Sequence, residues 1–104
     1  MLNITKNKEG TTLAILLEGD LDRTTALDLE TAVITDLDGI TDLMIDLDKL
    51  EYISSAGLRA FVKFRKLMDK QGTMRIINIR GAVKEILDLS GLAGFLTGLE
   101  KNVT

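Results

Sequence analysis

An apolar segment, Leu43-Met44-Ile45, runs into the acidic stretch Asp46-Leu47-Asp48, and six residues later two serines, Ser54 and Ser55, head an amphipathic segment. This strand-to-helix junction is the strongest constraint on the fold. Leu58, Phe61, Val62, Phe64, Leu67 and Met68 recur at helical spacing on one side. Arg59, Lys63, Lys66 and Lys70 form a basic stripe on the other. A strand followed by a helix and another strand rejoins its sheet by a crossover, which implies parallel pairing. A hydroxyl in the first turn of a helix sits among backbone N–H groups that have no intrahelical partner. A phosphoryl group carried there meets those donors and the positive end of the helix dipole.

The rest of the chain supplies the partners for this junction. Leu2 to Lys6 alternates as a short strand, Asn7 to Gly10 reads as a turn, and Thr11 to Glu18 as a second strand, the pair forming a hairpin. The continuous run Leu13 to Leu17 predicts a central strand buried on both faces. Gly19-Asp20-Leu21-Asp22 is expected to break that strand and start a helix, with Asp22 as N-cap. Ala26, Leu29, Val33 and Leu37 carry this helix to Asp38-Gly39. Thr41 to Asp46 is the third strand, and residues 47–53 are expected to be a connection. Thr73 to Asn78 is the fourth strand, and Gly81 to Ser90 an amphipathic helix through Val83, Ile86, Leu87 and Leu89. Leu92 to Leu99 reads as a turn and a last edge strand, with Phe95 and Leu96 turned inward. The fold class is therefore α/β: one domain over residues 1–104, a four- to five-stranded mixed sheet with helices packed against it, parallel among the later strands.

Composition removes whole classes of chemistry. The 104 residues contain no cysteine and no histidine. That excludes a disulfide framework, a thiolate nucleophile, a Ser-His-Asp triad and the commonest metal ligand. Asp36-Leu37-Asp38-Gly39 and Asp46-Leu47-Asp48 do not match an EF-hand, in which glycine stands sixth; no metal or cofactor is expected. No signal peptide or membrane span is visible, so a cytoplasmic setting without membrane insertion is expected. Residues 18–48 hold ten acids against Arg23 alone, and residues 59–80 seven bases against Asp69 alone. The two regions read as solvated faces that partly neutralise each other. An acidic chain with four aromatics does not fit nucleic-acid binding, despite the basic stripe.

Gly19-Asp20-Leu21-Asp22 and Tyr52-Ile53-Ser54-Ser55-Ala56-Gly57-Leu58-Arg59, in this order of elements, resemble a STAS domain, and most of all the stand-alone anti-sigma factor antagonists of bacteria. The likeness covers nearly the whole chain. It implies a partner switch: the unphosphorylated protein binds an anti-sigma factor with serine kinase activity and so releases a sigma factor. The kinase phosphorylates a serine at the start of the second helix, and a metal-dependent serine/threonine phosphatase reverses this. The matching position is Ser55. Many members have Asp immediately before that serine, whereas this chain has Ser54, so the alternative acceptor is Ser54. The C-terminal helix of many members is expected to be shortened or missing.

The residues expected to meet the partner are Asp20, Ser54, Ser55, Ala56, Gly57 and Arg59. Asp22 can order the site or simply cap the first helix, and Asp20 can equally be a solvated turn residue. Two competing readings remain. A hydrolase using Ser54 or Ser55 as nucleophile lacks a histidine base and a Gly-x-Ser-x-Gly elbow. A STAS domain can also be a non-phosphorylated accessory subunit of a transporter or signalling complex.

Overall fold

The structure is a computed structural model that describes residues 1–92, Gly94 and Leu96. It contains β1 (Leu2–Glu9), β2 (Thr12–Leu21), α1 (Arg23–Ile34), β3 (Asp42–Ile53), α2 (Ser55–Met68), β4 (Thr73–Ile77) and α3 (Gly81–Ser90). The four strands form one mixed sheet in the order β1-β2-β3-β4. β1 and β2 are an antiparallel hairpin, while β2/β3 and β3/β4 are parallel pairs bridged by α1 and α2. The α/β mixed-sheet expectation holds, with four strands among the described residues.

One face of the sheet carries the core. Leu13, Ile15 and Leu17 of β2, Leu43 and Ile45 of β3, and Met74 and Ile76 of β4 point into it. Ala26, Leu29 and Val33 of α1 and Phe61, Phe64 and Met68 of α2 cover them. The predicted burial of β2 on both faces is not found. Ala14 and Leu16 on the opposite face, like Met44 of β3, are only half-buried, because no described helix covers that side. The apolar run was long enough to suggest a two-sided strand, but small Ala14 and the polar neighbours Thr5, Asn7 and Asp46 tolerate water.

Two boundaries depart from expectation, and both lie at the junction. β2 does not break at Gly19; it continues to Leu21, with Gly19 at φ +107°. A Cβ on Gly19 would run into the carbonyl of Met1, so this bend requires glycine. Residues 47–53 are not a loop but the second half of β3. Leu16 pairs with Asp46 and Glu18 with Lys49, then Gly19 with Leu50 and Asp20 with Tyr52, so β3 carries one extra residue at each of two bulges. Each extra residue turns the spacing of core-facing positions from two to three, which is why Leu47, Leu50 and Ile53 are all buried.

Smaller differences follow local bonding. α1 ends at Ile34, three residues before Leu37, where the Thr35 hydroxyl donates to the Thr31 carbonyl at 2.7 Å. Leu37 is still buried, in the turn after the helix. In α3, Val83 and Leu87 are buried, but Leu89 is exposed, not inward. Gly94 and Leu96 are helical, with the Leu96 N–H donating to the Leu92 carbonyl at 2.9 Å, so the described residues of this segment do not belong to the expected edge strand. Leu96 is buried as expected, whereas Phe95 and the region of the expected C-terminal helix lie outside the described residues.

Candidate functional site

The two bulges place the end of β3 beside the end of β2. Asp20 faces Tyr52 and Leu21 faces Ile53 across the parallel pair. The Ser54 N–H then donates to the Leu21 carbonyl at 2.8 Å, which ties the start of α2 to the start of α1. The segments Gly19–Asp22 and Tyr52–Arg59 are thus brought to one edge of the sheet, where parallel strands of an α/β fold feed their helices.

The two serines have different positions. Ser54 is the N-cap of α2: its backbone is extended, and its Oγ accepts from the Gly57 N–H at 3.2 Å. Its carbonyl accepts from Leu58 at 3.0 Å, and the residue is half-buried. Ser55 is the first residue of the helix proper and is exposed. Ala56 is half-buried, Gly57 is buried, and Arg59 is exposed one turn below Ser55. Ser54 thus performs the capping role that an aspartate fills equally well.

Asp22 caps α1 through a reciprocal pair with Thr25. The Thr25 N–H donates to Asp22 Oδ1 at 2.9 Å, and the Asp22 N–H donates to Thr25 Oγ1 at 2.9 Å. Thr25 Oγ1 in turn donates to the Asp20 carbonyl at 3.0 Å, so Thr25 also fixes the bend that presents Asp20. Thr25 is not singled out by the sequence; a hydroxyl three residues after a capping aspartate is the signal that identifies it. Asp20 itself is half-buried, and its N–H donates to the Met1 carbonyl at 3.1 Å. Tyr52, beside Asp20, is 45% exposed, and Leu27 on α1 is 66% exposed; neither is among the residues expected from sequence to meet the partner.

The Asp22 carboxyl is held below the ordinary aspartate range by the Thr25 N–H, then by the Thr25 hydroxyl. A carboxylate whose folded pKa lies below its unfolded one contributes stability above the unfolded value and loses it as pH falls through the folded value. Thermal unfolding between pH 5 and 2 is therefore expected to show an acid-side loss that is smaller in Asp22→Asn. Identical pH profiles for the two proteins contradict this.

Several other acids are engaged structurally. Asp46 Oδ1 accepts from the Asp48 N–H and from Asn78 Nδ2, both at 2.9 Å. Arg75–Asp42 and Arg80–Asp48 pair at 3.0 Å, and so do Lys63 of α2 and Glu30 of α1. These bridges join the acidic and basic regions of the chain, as the reading of mutual neutralisation requires. Among the described residues no cluster of acids is arranged to hold a metal ion. No described helix is long and apolar enough to cross a membrane.

A family model for the STAS domain matches residues 3–104. The chain belongs to the STAS domain family. It is 32% identical over 92 residues to BtrV of Bordetella bronchiseptica, which carries the name of an anti-sigma factor antagonist; the match spans 86% of this chain and 79% of BtrV. The fold is similar to that of an anti-sigma factor antagonist from Mycobacterium paratuberculosis, with a TM-score of 0.81, 22% identity, and coverage of 91% of this chain and 82% of the other. It is also similar to the antagonist SpoIIAA in its unphosphorylated form, with a TM-score of 0.79, 18% identity, and coverage of 86% and 82%. Phosphorylated SpoIIAA of Bacillus gives a TM-score of 0.70 at 19% identity, covering 88% and 86%. By homology to BtrV the chain is related to the anti-sigma factor antagonists, and it shares their fold.

Proposed function

We propose that this STAS domain is a phosphorylation-controlled anti-sigma factor antagonist. Its unphosphorylated form binds an anti-sigma factor with serine kinase activity and releases the sigma factor. Phosphorylation of Ser55 blocks that binding, and a serine/threonine phosphatase restores it. The switch acts in the cytoplasm by protein–protein contact and needs no catalysis by the domain itself. Asp20, Ser54, Ser55, Ala56, Gly57 and Arg59 form the centre of the partner surface.

The observation that carries this reading is the division between the serines. Ser54 is half-buried and its Oγ is committed to the Gly57 N–H, while Ser55 is exposed at the first helical position. A kinase needs an accessible hydroxyl, and only Ser55 offers one that is not part of the cap. A phosphate adds about −1.5 to −2 charges. At a helix N-terminus that charge is tolerated by the unpaired N–H groups and the dipole, so the fold persists and the effect falls on the partner surface.

Phosphopeptide mass spectrometry after incubation with ATP and host extract tests the assignment. The label is expected in wild type and in Ser54→Ala and absent in Ser55→Ala. Ser54→Ala is expected to lose about 1 kcal/mol of stability with its cap. A label that disappears in Ser54→Ala and survives in Ser55→Ala overturns the choice of acceptor. No label on either residue, in an extract that phosphorylates a known antagonist, overturns the switch and favours the accessory-subunit reading.

A further inference from the structure

Arg59 lies one turn after Ser55 on the solvent face of α2, and both residues are exposed. Helical side chains lean toward the N-terminus, so the residue at i+4 covers the turn that holds residue i. The Arg59 side chain therefore has the reach and the direction to return to the first turn of α2. Three cations of the same region are engaged with acids: Lys63 with Glu30, Arg75 with Asp42 and Arg80 with Asp48. Arg59 makes no ion pair among the described residues, and the first turn of α2 contains no acid. The molecule thus holds an uncommitted guanidinium one helical turn from an exposed hydroxyl.

We propose that Arg59 captures the phosphate placed on Ser55, an inference that rests on Ser55 being the phosphoacceptor. The guanidinium fork matches two phosphate oxygens, and the pair is charge-assisted. The unphosphorylated domain presents Arg59 at the head of a cationic row that continues through Lys63 and Lys66. Phosphorylation puts an anion at position 55 and withdraws this arginine with it. A partner with an acidic surface then loses a cation one turn from the serine and meets a negative charge in its place. The modification is read over two turns of α2, and it stabilises the helix that carries it.

The test places phosphoserine genetically at position 55 of the full chain, so no kinase is needed, in wild type, Arg59→Gln and Arg59→Lys. The Arg59 side-chain Nε–H resonance is expected to shift on phosphorylation. The unfolding equilibrium constant is expected to fall about fivefold further in wild type than in Arg59→Gln, with Arg59→Lys between them. Equal stabilisation of wild type and Arg59→Gln, with an unmoved Nε–H signal, overturns the capture. Partner binding is a separate readout: phosphoserine that blocks binding without moving Arg59 leaves the switch and removes the clamp. An Arg59 shift with undiminished binding leaves the clamp and removes the switch.

Discussion

Phe61→Ala is expected to cost about 3–5 kcal/mol, the range for truncating a fully buried aromatic. Phe61 is 0% exposed in the middle of α2, on the side that faces the sheet. Phe64 and Met68, equally buried, continue the same face, so the core cannot close over the missing ring without moving the helix. Domains of this size have total stabilities of about 5–15 kcal/mol, so this one change consumes a large share. Urea denaturation is the appropriate measurement. Val62→Ala, at a half-buried neighbour packed against the edge of the core, serves as the comparison and is expected to cost less. A Phe61→Ala midpoint equal to that of Val62→Ala contradicts the assignment of α2's inner face.

Gly57→Ala is expected to damage both stability and partner binding. Gly57 is buried where α2 starts, and a Cβ there would lie 2.7 Å from Leu21 Cγ, 2.8 Å from Leu21 Cδ2 and 2.9 Å from Ile53 Cγ1. Leu21 and Ile53 are paired strand ends, 0% and 1% exposed, so neither side chain has room to retreat. Relief requires the first turn of α2 to move outward, away from the Leu21 carbonyl that holds the Ser54 N–H. Overpacking of this kind costs about 1–3 kcal/mol. Because the same movement displaces Ser54, Ser55 and Arg59, partner affinity is expected to fall roughly tenfold, equivalent to about 1.4 kcal/mol. Thermal unfolding and titration with the proposed anti-sigma factor partner measure the two effects. An alanine variant with unchanged melting and affinity shows that the first turn is not held by this contact.

Much of this protein was legible because its elements are locally consistent. The helical spacing of Leu58, Phe61, Phe64 and Met68 is direct, as is the strand character of Leu13–Leu17. Asp22 was readable as an N-cap because its side chain acts within one turn of its own backbone. The second half of β3 was not legible. A strand is recognised by a period of two, and the bulges replace it with Leu47, Leu50 and Ile53 at a period of three. Those bulges are defined by pairing with β2, thirty residues away, so residues 47–53 resembled a connection.

The sequence by itself determined that cysteine and histidine are missing, where the amphipathic helices lie, and that two adjacent serines head the second one, since each depends on residue identity and short-range spacing. Which of the two hydroxyls is exposed was decided only in three dimensions. Docking of the Ser54 N–H on the Leu21 carbonyl and packing of Gly57 between Leu21 and Ile53 set the angle at which α2 leaves the sheet. That angle turns Ser54 inward as the cap and Ser55 and Arg59 outward to solvent, because a helix start is oriented by the strands it rests on as well as by the residues that form it.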